Sequence, residues 1–208
     1  MFTGANTFTA SAVGDPHFTT YGGVRYDYQG IGDFLLARST VPGDQFDVDI
    51  RTAAGYSNLG TTVITEAAST LCNHDVIFDT RANAGGSFVS IDGEPSSLSL
   101  GNLLLTPDGC KIDELAPGHY QLVWNTGEML DVTNNGTYLD LSSSLSWIDG
   151  LGSMGGLLAS DLNPDAWRVT DGTSLFDPVP EPSTLTVLAA GLVAFGIIRR
   201  RAIPAKLG

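Results

Sequence analysis

Apolar residues occupy every second position in several short segments of the chain, and the clearest of these is 46–51. Alternation with a period of two is typical of a β-strand with one buried face and one exposed face. The segment 120–125 repeats the pattern and places Tyr120, Leu122 and Trp124 on one face. The remaining candidate strands are 24–28, 34–39, 61–65, 76–80, 87–91, 98–105, 128–132 and 137–141.

These candidate strands recur at intervals of roughly ten residues and are separated by Gly, Asn, Asp and Pro. No stretch of the body shows helical periodicity longer than about two turns. Short strands at this spacing predict an all-β fold, an antiparallel β-sandwich. We place this domain at residues 13–176, after an N-terminal lead at 1–12.

Two pairs of turn residues predict hairpins. Asn135 and Gly136 are suited to a tight turn in which both central residues have positive φ. Asp92 and Gly93 predict the same turn between strands ending near 91 and starting near 98, less regularly because Pro95 intervenes.

The pattern changes at the C-terminus, where a proline-rich linker at 177–183 precedes an apolar run. Sixteen residues separate Pro182 from Arg199, and as a helix they rise about 24 Å. Snorkelling arginines narrow the gap to the hydrocarbon core of about 30 Å. We predict one hydrophobic transmembrane helix at 184–201 and a tail at 202–208; a plain C-terminal anchor is the alternative.

The linker, the apolar run and the basic cluster occur in the order of a known signal. Over residues 179–201 they resemble the PEP-CTERM sorting signal of Gram-negative bacteria that make exopolysaccharide. The resemblance implies recognition by an exosortase, a membrane-embedded enzyme that cuts near the proline-glutamate-proline triplet. Arginines favour the cytoplasmic side, so the body is expected on the other side. The residues that carry the signal are Pro180, Glu181, Pro182, Arg199, Arg200 and Arg201.

Charge separates the body from the tail. Residues 1–178 carry 22 acidic residues against 6 Lys and Arg, a formal −16, whereas residues 179–208 are formally +3. Such a body lacks the cations that neutralise phosphates, so we expect no nucleic-acid partner. Aspartates on the strands, such as Asp47 and Asp49, are expected to face solvent.

Cys72 and Cys110 are the only cysteines. In an exported protein we expect them to form one disulfide, worth about 3–4 kcal/mol. A zinc site with His74 and His119 is a second interpretation, although its spacing matches no common zinc finger. Two free buried thiols are a third.

A second motif begins at Gly14, where Gly-Asp-Pro-His leads into an aromatic-rich segment and then into Gly-Asp-Phe-Leu-Leu at 32–36. This string resembles the start of a von Willebrand factor type D domain. Near the other end, the Gly-Gly-Leu-Leu at 155–158 and the acidic residues after it are similar to a loop of the same family. The resemblance covers residues 13–176 and is weakest in the middle.

The resemblance implies an extracellular β-rich module for adhesion, matrix assembly or multimerisation, often with a structural calcium ion. Asp161, Asn163 and Asp165 occupy alternate positions, as early ligands of a calcium loop do. Gly22 and Ser160 depart from the family pattern. The expected cofactor is therefore calcium; the alternative is a solvated acidic turn.

Asp15, Pro16 and His17 carry a further hypothesis. In some members of the family the Asp-Pro bond cleaves when the aspartate carboxyl attacks its own carbonyl, leaving a reactive anhydride that can cross-link to neighbours. His17 is then the candidate proton donor. The same four residues serve most members only as a turn.

No converging set of nucleophile, base or metal triad marks an enzyme. We therefore expect a non-enzymatic cell-surface or biofilm-matrix protein, with extracellular polysaccharide or surface proteins as partners. A secreted glycan-binding or glycan-active protein with the same sorting tail is the alternative. Residues 1–4 begin no basic signal-peptide region, so we expect the true N-terminus to lie upstream; the alternative is that the chain is a fragment.

Overall fold

The computed structural model describes residues 8–55, 60–81, 87–96, 98, 104–146, 151–159, 163–170 and 174–176. All of them belong to one compact unit that ends at Phe176. They form fifteen β-strands and two short 3-10 helices, and this part of the chain contains no α-helix. The prediction of an all-β body is confirmed; the predicted helix at 184–201 lies outside the described residues.

The 3-10 helices are Leu151–Ser153 and Pro164–Trp167. The strands, in chain order, are β1 (Thr9–Val13), β2 (His17–Thr19), β3 (Arg25–Asp27), β4 (Gly32–Ser39), β5 (Asp47–Ala54), β6 (Thr62–Leu71), β7 (His74–Asp79), β8 (Val89–Ile91), β9 (Glu94–Pro95), β10 (Leu104–Leu105), β11 (Lys111–Ala116), β12 (His119–Val123), β13 (Met129–Asn134), β14 (Leu139–Ser144) and β15 (Met154–Gly155).

The strands form two antiparallel sheets. The first has the order β10-β11-β12-β13-β14-β1-β2-β3, and the second has the order β15-β4-β5-β6-β7-β8-β9. Most neighbours in the sheets are also neighbours in sequence, as expected for hairpin-connected strands. The main exception is β1, which pairs with β14 and so brings the start of the body beside its late strands.

Both sheets contribute to one hydrophobic core. Trp124 follows β12 of the first sheet, and its indole Nε1 donates a hydrogen bond of 3.1 Å to the carbonyl of Thr70 on β6 of the second. Its ring also packs edge-on against Phe46, with 4.8 Å between centroids. Because the buried indole N–H has a partner across the core, the ring fixes the two sheets against each other. The alternation at 120–125 therefore predicted the buried face correctly, since Tyr120, Leu122 and Trp124 are all buried.

The alternation at 46–51 correctly predicted a strand, but it did not predict that both faces of the strand are buried. Residues 47–54 form β5, which lies between β4 and β6 near the middle of the second sheet. Val48 and Ile50 are buried on the core side, and Asp49 is fully buried on the opposite side. The prediction of a half-buried strand with solvent-facing aspartates is wrong, because the outer face of this sheet is covered too.

Several strands of the structure were not predicted from the sequence. The segment Thr9–Val13 forms β1, although its buried residues are the small Ala10 and Ala12. Small residues give a weak strand signal because strand preference reflects packing of larger side chains. Lys111–Ala116 forms β11 despite three charged residues. Within the predicted strand 98–105, residues 104 and 105 form β10, and residues 99–103 lie outside the described part.

Turn chemistry predicted the same tight turn in both hairpins, and the structure has it in one of them. Asp92 and Gly93 both have positive φ, at 53° and 78°, and Ile91 pairs with Glu94 in a two-residue hairpin. At the other hairpin only Gly136 has positive φ, at 88°. Strand pairing ends at Asn134, whose side-chain oxygen accepts a hydrogen bond from the Gly136 N–H. That side chain stabilises a longer loop in place of the predicted tight turn.

Cys72 and Cys110 form a disulfide, with a Cα separation of 6.0 Å. The bond joins the turn between β6 and β7 of the second sheet to the loop before β11 of the first. The zinc interpretation is wrong, because the sulfurs are bonded to each other. His74 instead contacts Asp92 at 2.8 Å, and His119 contacts Asp131 at 3.3 Å.

Candidate functional site

The Gly-Asp-Pro-His motif forms the turn between β1 and β2. Gly14 has φ of +68°, a conformation that favours glycine. Its N–H donates a hydrogen bond of 2.8 Å to Asp140 Oδ1 on β14. Asn135 Nδ2 donates to the other oxygen of Asp140, also at 2.8 Å. The turn is therefore fixed to a strand 126 residues away in sequence.

His17 lies between two carboxylates. Its Nε2 is 2.8 Å from Asp15 Oδ1, and its Nδ1 is 2.6 Å from Asp27 Oδ1. Asp27 reaches the ring because it faces His17 in the β2–β3 register. Both ring nitrogens donate hydrogen bonds only in the imidazolium, so the arrangement favours the charged ring.

The pKa of His17 is raised above its ordinary value. The hydrogen bond to Asp27 is the largest cause, and the negative charges of Asp27 and Asp15 add to it, while desolvation opposes it. A larger fraction of His17 is therefore protonated near neutral pH than for an ordinary histidine. In the protonated ring, the proton on Nε2 lies next to the Asp15 side chain.

The Asp15–Pro16 peptide is contacted from the segment after β3. Gln29 Nε2 donates to the carbonyl of Asp15 at 3.4 Å, and the Tyr28 N–H donates to the carbonyl of Pro16 at 3.5 Å. Attack of the Asp15 carboxylate on its own carbonyl carbon would form a cyclic anhydride and break the bond to the Pro16 nitrogen. That nitrogen would leave as an amine after taking a proton, for which His17 is the adjacent donor. Cleavage stays a prediction.

The sequence reading singled out Asp15, Pro16 and His17 but not Asp27, Gln29 or Asp140. Asp27 could have been found, because a short hairpin after His17 places residue 27 opposite it. Asp140 could not, since no local pattern connects it to the turn. Only the pairing of β1 with β14 brings it there.

The predicted calcium ligands are only partly visible, because Asp161 lies outside the described residues. Asn163 precedes the 3-10 helix at 164–167. Asp165 is exposed, and its Oδ1 accepts a hydrogen bond of 2.6 Å from the Tyr28 hydroxyl. Among the residues that the structure describes, no three His, Cys, Asp or Glu side chains are placed to hold a metal together. Calcium stays a prediction.

A second polar cluster lies on the outer face of the second sheet. Arg51 on β5 bonds Asp33 on β4 at 2.7 Å and Glu66 on β6 at 2.9 Å. Arg81, after β7, contacts the other oxygen of Glu66. Glu66 is 5% exposed. Because a buried charge is costly unless paired, these ion pairs stabilise a charged row across the sheet.

Asp49 lies on the same face of the sheet, but none of the described residues forms an ion pair with it. Strand pairing places it between Leu35 of β4 and Ala68 of β6, and it is fully buried. Its Oδ2 accepts a hydrogen bond of 3.0 Å from the Leu175 N–H, while its Oδ1 has no hydrogen-bond partner. Burial raises the pKa of Asp49 to about 6. The Leu175 hydrogen bond opposes this rise, and the nearby Asp47 and Asp33 add to it.

The sorting tail lies outside the described residues, so its evidence comes from sequence comparison. Residues 178–202 match the family described as the PEP-CTERM protein-sorting motif. The match indicates a secreted protein that is sorted by an exosortase and directed to the cell envelope. No curated protein matches the chain. Within the described ranges, no helix is long and apolar enough to cross a membrane.

We predict that Asp27→Asn lowers the pKa of His17, because it removes the negative charge and the largest hydrogen-bond contribution. NMR titration of the His17 ring measures this shift directly. His74, which bonds Asp92 on the second sheet, is the internal reference and should titrate as in the wild type. An unchanged His17 midpoint would show that Asp27 does not control the ring.

We predict that Asp49→Asn stabilises the protein at pH 7–8 relative to wild type. A folded-state pKa of about 6 against about 3.9 unfolded means that Asp49 costs stability as the pH rises from about 4 through 6. The asparagine oxygen can still accept from Leu175. The expected gain is about 1–3 kcal/mol in denaturant unfolding at pH 7.5, falling toward zero at pH 4. A difference independent of pH would contradict this ionisation behaviour.

Proposed function

We propose that the body is a non-enzymatic structural or adhesion module of the cell surface or biofilm matrix. The sorting motif supports this by directing the protein to the envelope. The disulfide between Cys72 and Cys110 supports it further, because such bonds persist in oxidising compartments. The three histidines each bond an aspartate in a separate part of the fold. That arrangement favours structural roles for them.

We also propose that the body is related to von Willebrand type D domains. The two sequence regions that carry the resemblance meet in space, although they are over a hundred residues apart. The Tyr26 hydroxyl donates to the carbonyl of Leu157 at 2.6 Å, and the Tyr21 N–H donates to the carbonyl of Leu158 at 2.9 Å. The Leu157 N–H in turn bonds the carbonyl of Leu35 at 3.0 Å. Such contacts are expected if both motifs belong to one module.

Glycan binding is the second candidate, favoured by a polar groove. Arg38 lines two concavities of about 230 and 290 Å³, and Gln45 lines the second of these and a third of about 350 Å³. The carboxylates of Asp44 and Asp47 and the amides of Gln45 and Asn73 line these concavities. Such groups exchange hydrogen bonds with the hydroxyl groups of a sugar chain. The residues lining the groove include Trp167, Arg38, Asp47, Asp44, Gln45, Asn73, Asp108 and Asn125.

We expect the surface or secreted form to lack the residues after the processing motif. Mass analysis of wild type from a host that encodes an exosortase should give a body ending near Pro182, and Glu181→Ala should retain the full chain. The matched control is Glu94→Ala, a change to an exposed hairpin glutamate in the body. An intact, soluble wild-type chain in the cytosol would contradict export and sorting.

For the groove, we expect the double change Gln45→Ala and Asn73→Ala to weaken binding of a neutral glucan oligosaccharide, cellohexaose, by about tenfold. Each neutral hydrogen bond contributes roughly 0.5–1.5 kcal/mol. Gln121→Ala on the first sheet is the control and should bind as wild type. Titration calorimetry measures both. No binding by wild type, or an equal loss in the control, would contradict this second candidate.

A further inference from the structure

The last described residues of the body, 174–176, are docked on the outer face of the second sheet. Ser174 Oγ donates to Asp33 Oδ2 at 3.3 Å, and the Leu175 N–H donates to Asp49 Oδ2 at 3.0 Å. The guanidinium of Arg51 lies over the ring of Phe176, 4.5 Å from its centroid. Each of the three residues therefore has its own contact on β4 or β5.

The side chains that bind residues 174–176 are either buried or already part of an ion pair. Asp49 is fully buried, and its Oδ2 accepts the hydrogen bond from the Leu175 N–H. Asp33 already bonds Arg51 through both oxygens, so the hydroxyl of Ser174 joins an ion pair that is in place. Ser174 is itself 8% exposed. A preorganised charged site of this kind binds a segment at a lower entropic cost than a flexible surface does.

We propose that Asp33, Asp49 and Arg51 form a latch that holds residues 174–176 on the body and thereby restrains processing of the sorting motif. The inference rests on sorting by an exosortase, which the motif at 178–202 indicates. The three latch residues act on processing through position and contact no reacting atom. The segment that occupies the site, residues 174–176, belongs to this chain. Four residues separate Phe176 from Glu181.

The latch shortens the stretch of free chain between the body and the sorting motif. With Phe176 held, five residue steps lead to Glu181, and an extended chain covers at most roughly 17 Å over that distance. With the latch open, the next backbone hydrogen bond to the sheets that the described residues make is that of the Val169 N–H to the Asp33 carbonyl. Twelve steps then separate the body from Glu181, or at most roughly 42 Å.

The short tether hinders cleavage for a steric reason. A membrane-embedded exosortase must receive the motif in its own site, which a folded body cannot enter. While residues 174–176 stay bound, an extended chain carries Glu181 at most roughly 17 Å from Phe176, whereas the open chain gives the motif a longer reach. Opening the latch therefore accelerates processing.

The first test measures docking in the purified full chain by limited proteolysis, with mass spectrometry to locate cuts between residues 170 and 182. Leu175→Pro removes the N–H that bonds Asp49 and should increase cutting about tenfold. Leu175→Ala keeps the N–H and should stay within about twofold of wild type. Phe176→Ala should also increase cutting, with Phe176→Tyr as its control. Equal cutting of Leu175→Pro and wild type would overturn the latch.

The second test follows loss of the tail by pulse-chase in a host that encodes an exosortase. Leu175→Pro and Phe176→Ala should be processed at least threefold faster than wild type, and the two control variants at the wild-type rate. If wild type is processed and Leu175→Pro is no faster, the latch has no role and sorting stands. If wild type is not processed, sorting itself fails, and proteolysis still decides whether residues 174–176 are docked.

Discussion

The central strands of the second sheet are buried on both faces, and most of the unusual chemistry of the body follows from this. On the core side, Val48 and Ile50 pack in the apolar layer shared with the first sheet. On the other side the same strand carries Asp49 and Arg51, which water cannot fully reach. Since buried charges require partners, the outer face holds ion pairs across β4, β5 and β6. The C-terminal segment of the body completes that face.

Trp124 shows how the two sheets are held against each other across the core. Its indole bonds the carbonyl of Thr70, and its ring contacts Phe46, so one side chain of the first sheet touches two positions of the second. The disulfide between Cys72 and Cys110 joins the same two sheets nearby in sequence. The two sheets are therefore fastened to each other at two places.

Residues near each end of the body form hydrogen bonds to its sheets, and the two sets of contacts have different consequences. At the start, Gly14 is bonded to Asp140, and His17 is held between Asp15 and Asp27. An exposed turn is thereby fixed, and both nitrogens of its histidine ring face carboxylates. At the end, the segment that contains Leu175 is bonded to a buried carboxylate. The last described residues of the body are therefore bonded to its second sheet.

Local patterns in the sequence were sufficient for the features that depend on neighbouring residues. Alternation at 120–125 identified a buried face, and the spacing of turn residues identified an all-β body. The sorting motif was readable because its three parts are contiguous and need no fold to be recognised. The pair Cys72 and Cys110 could be proposed from composition, but zinc and free thiols remained open until the distance was known.

Tertiary structure decided the features that depend on what covers a strand or lies across from it. The alternation at 46–51 is the same whether the polar face meets water or another layer, so the burial of Asp49 could not be read from it. The contact of Gly14 with Asp140 depends on the pairing of strands far apart in the chain. Sequence patterns record the period of a strand, whereas burial and long-range pairing arise only when the sheets assemble.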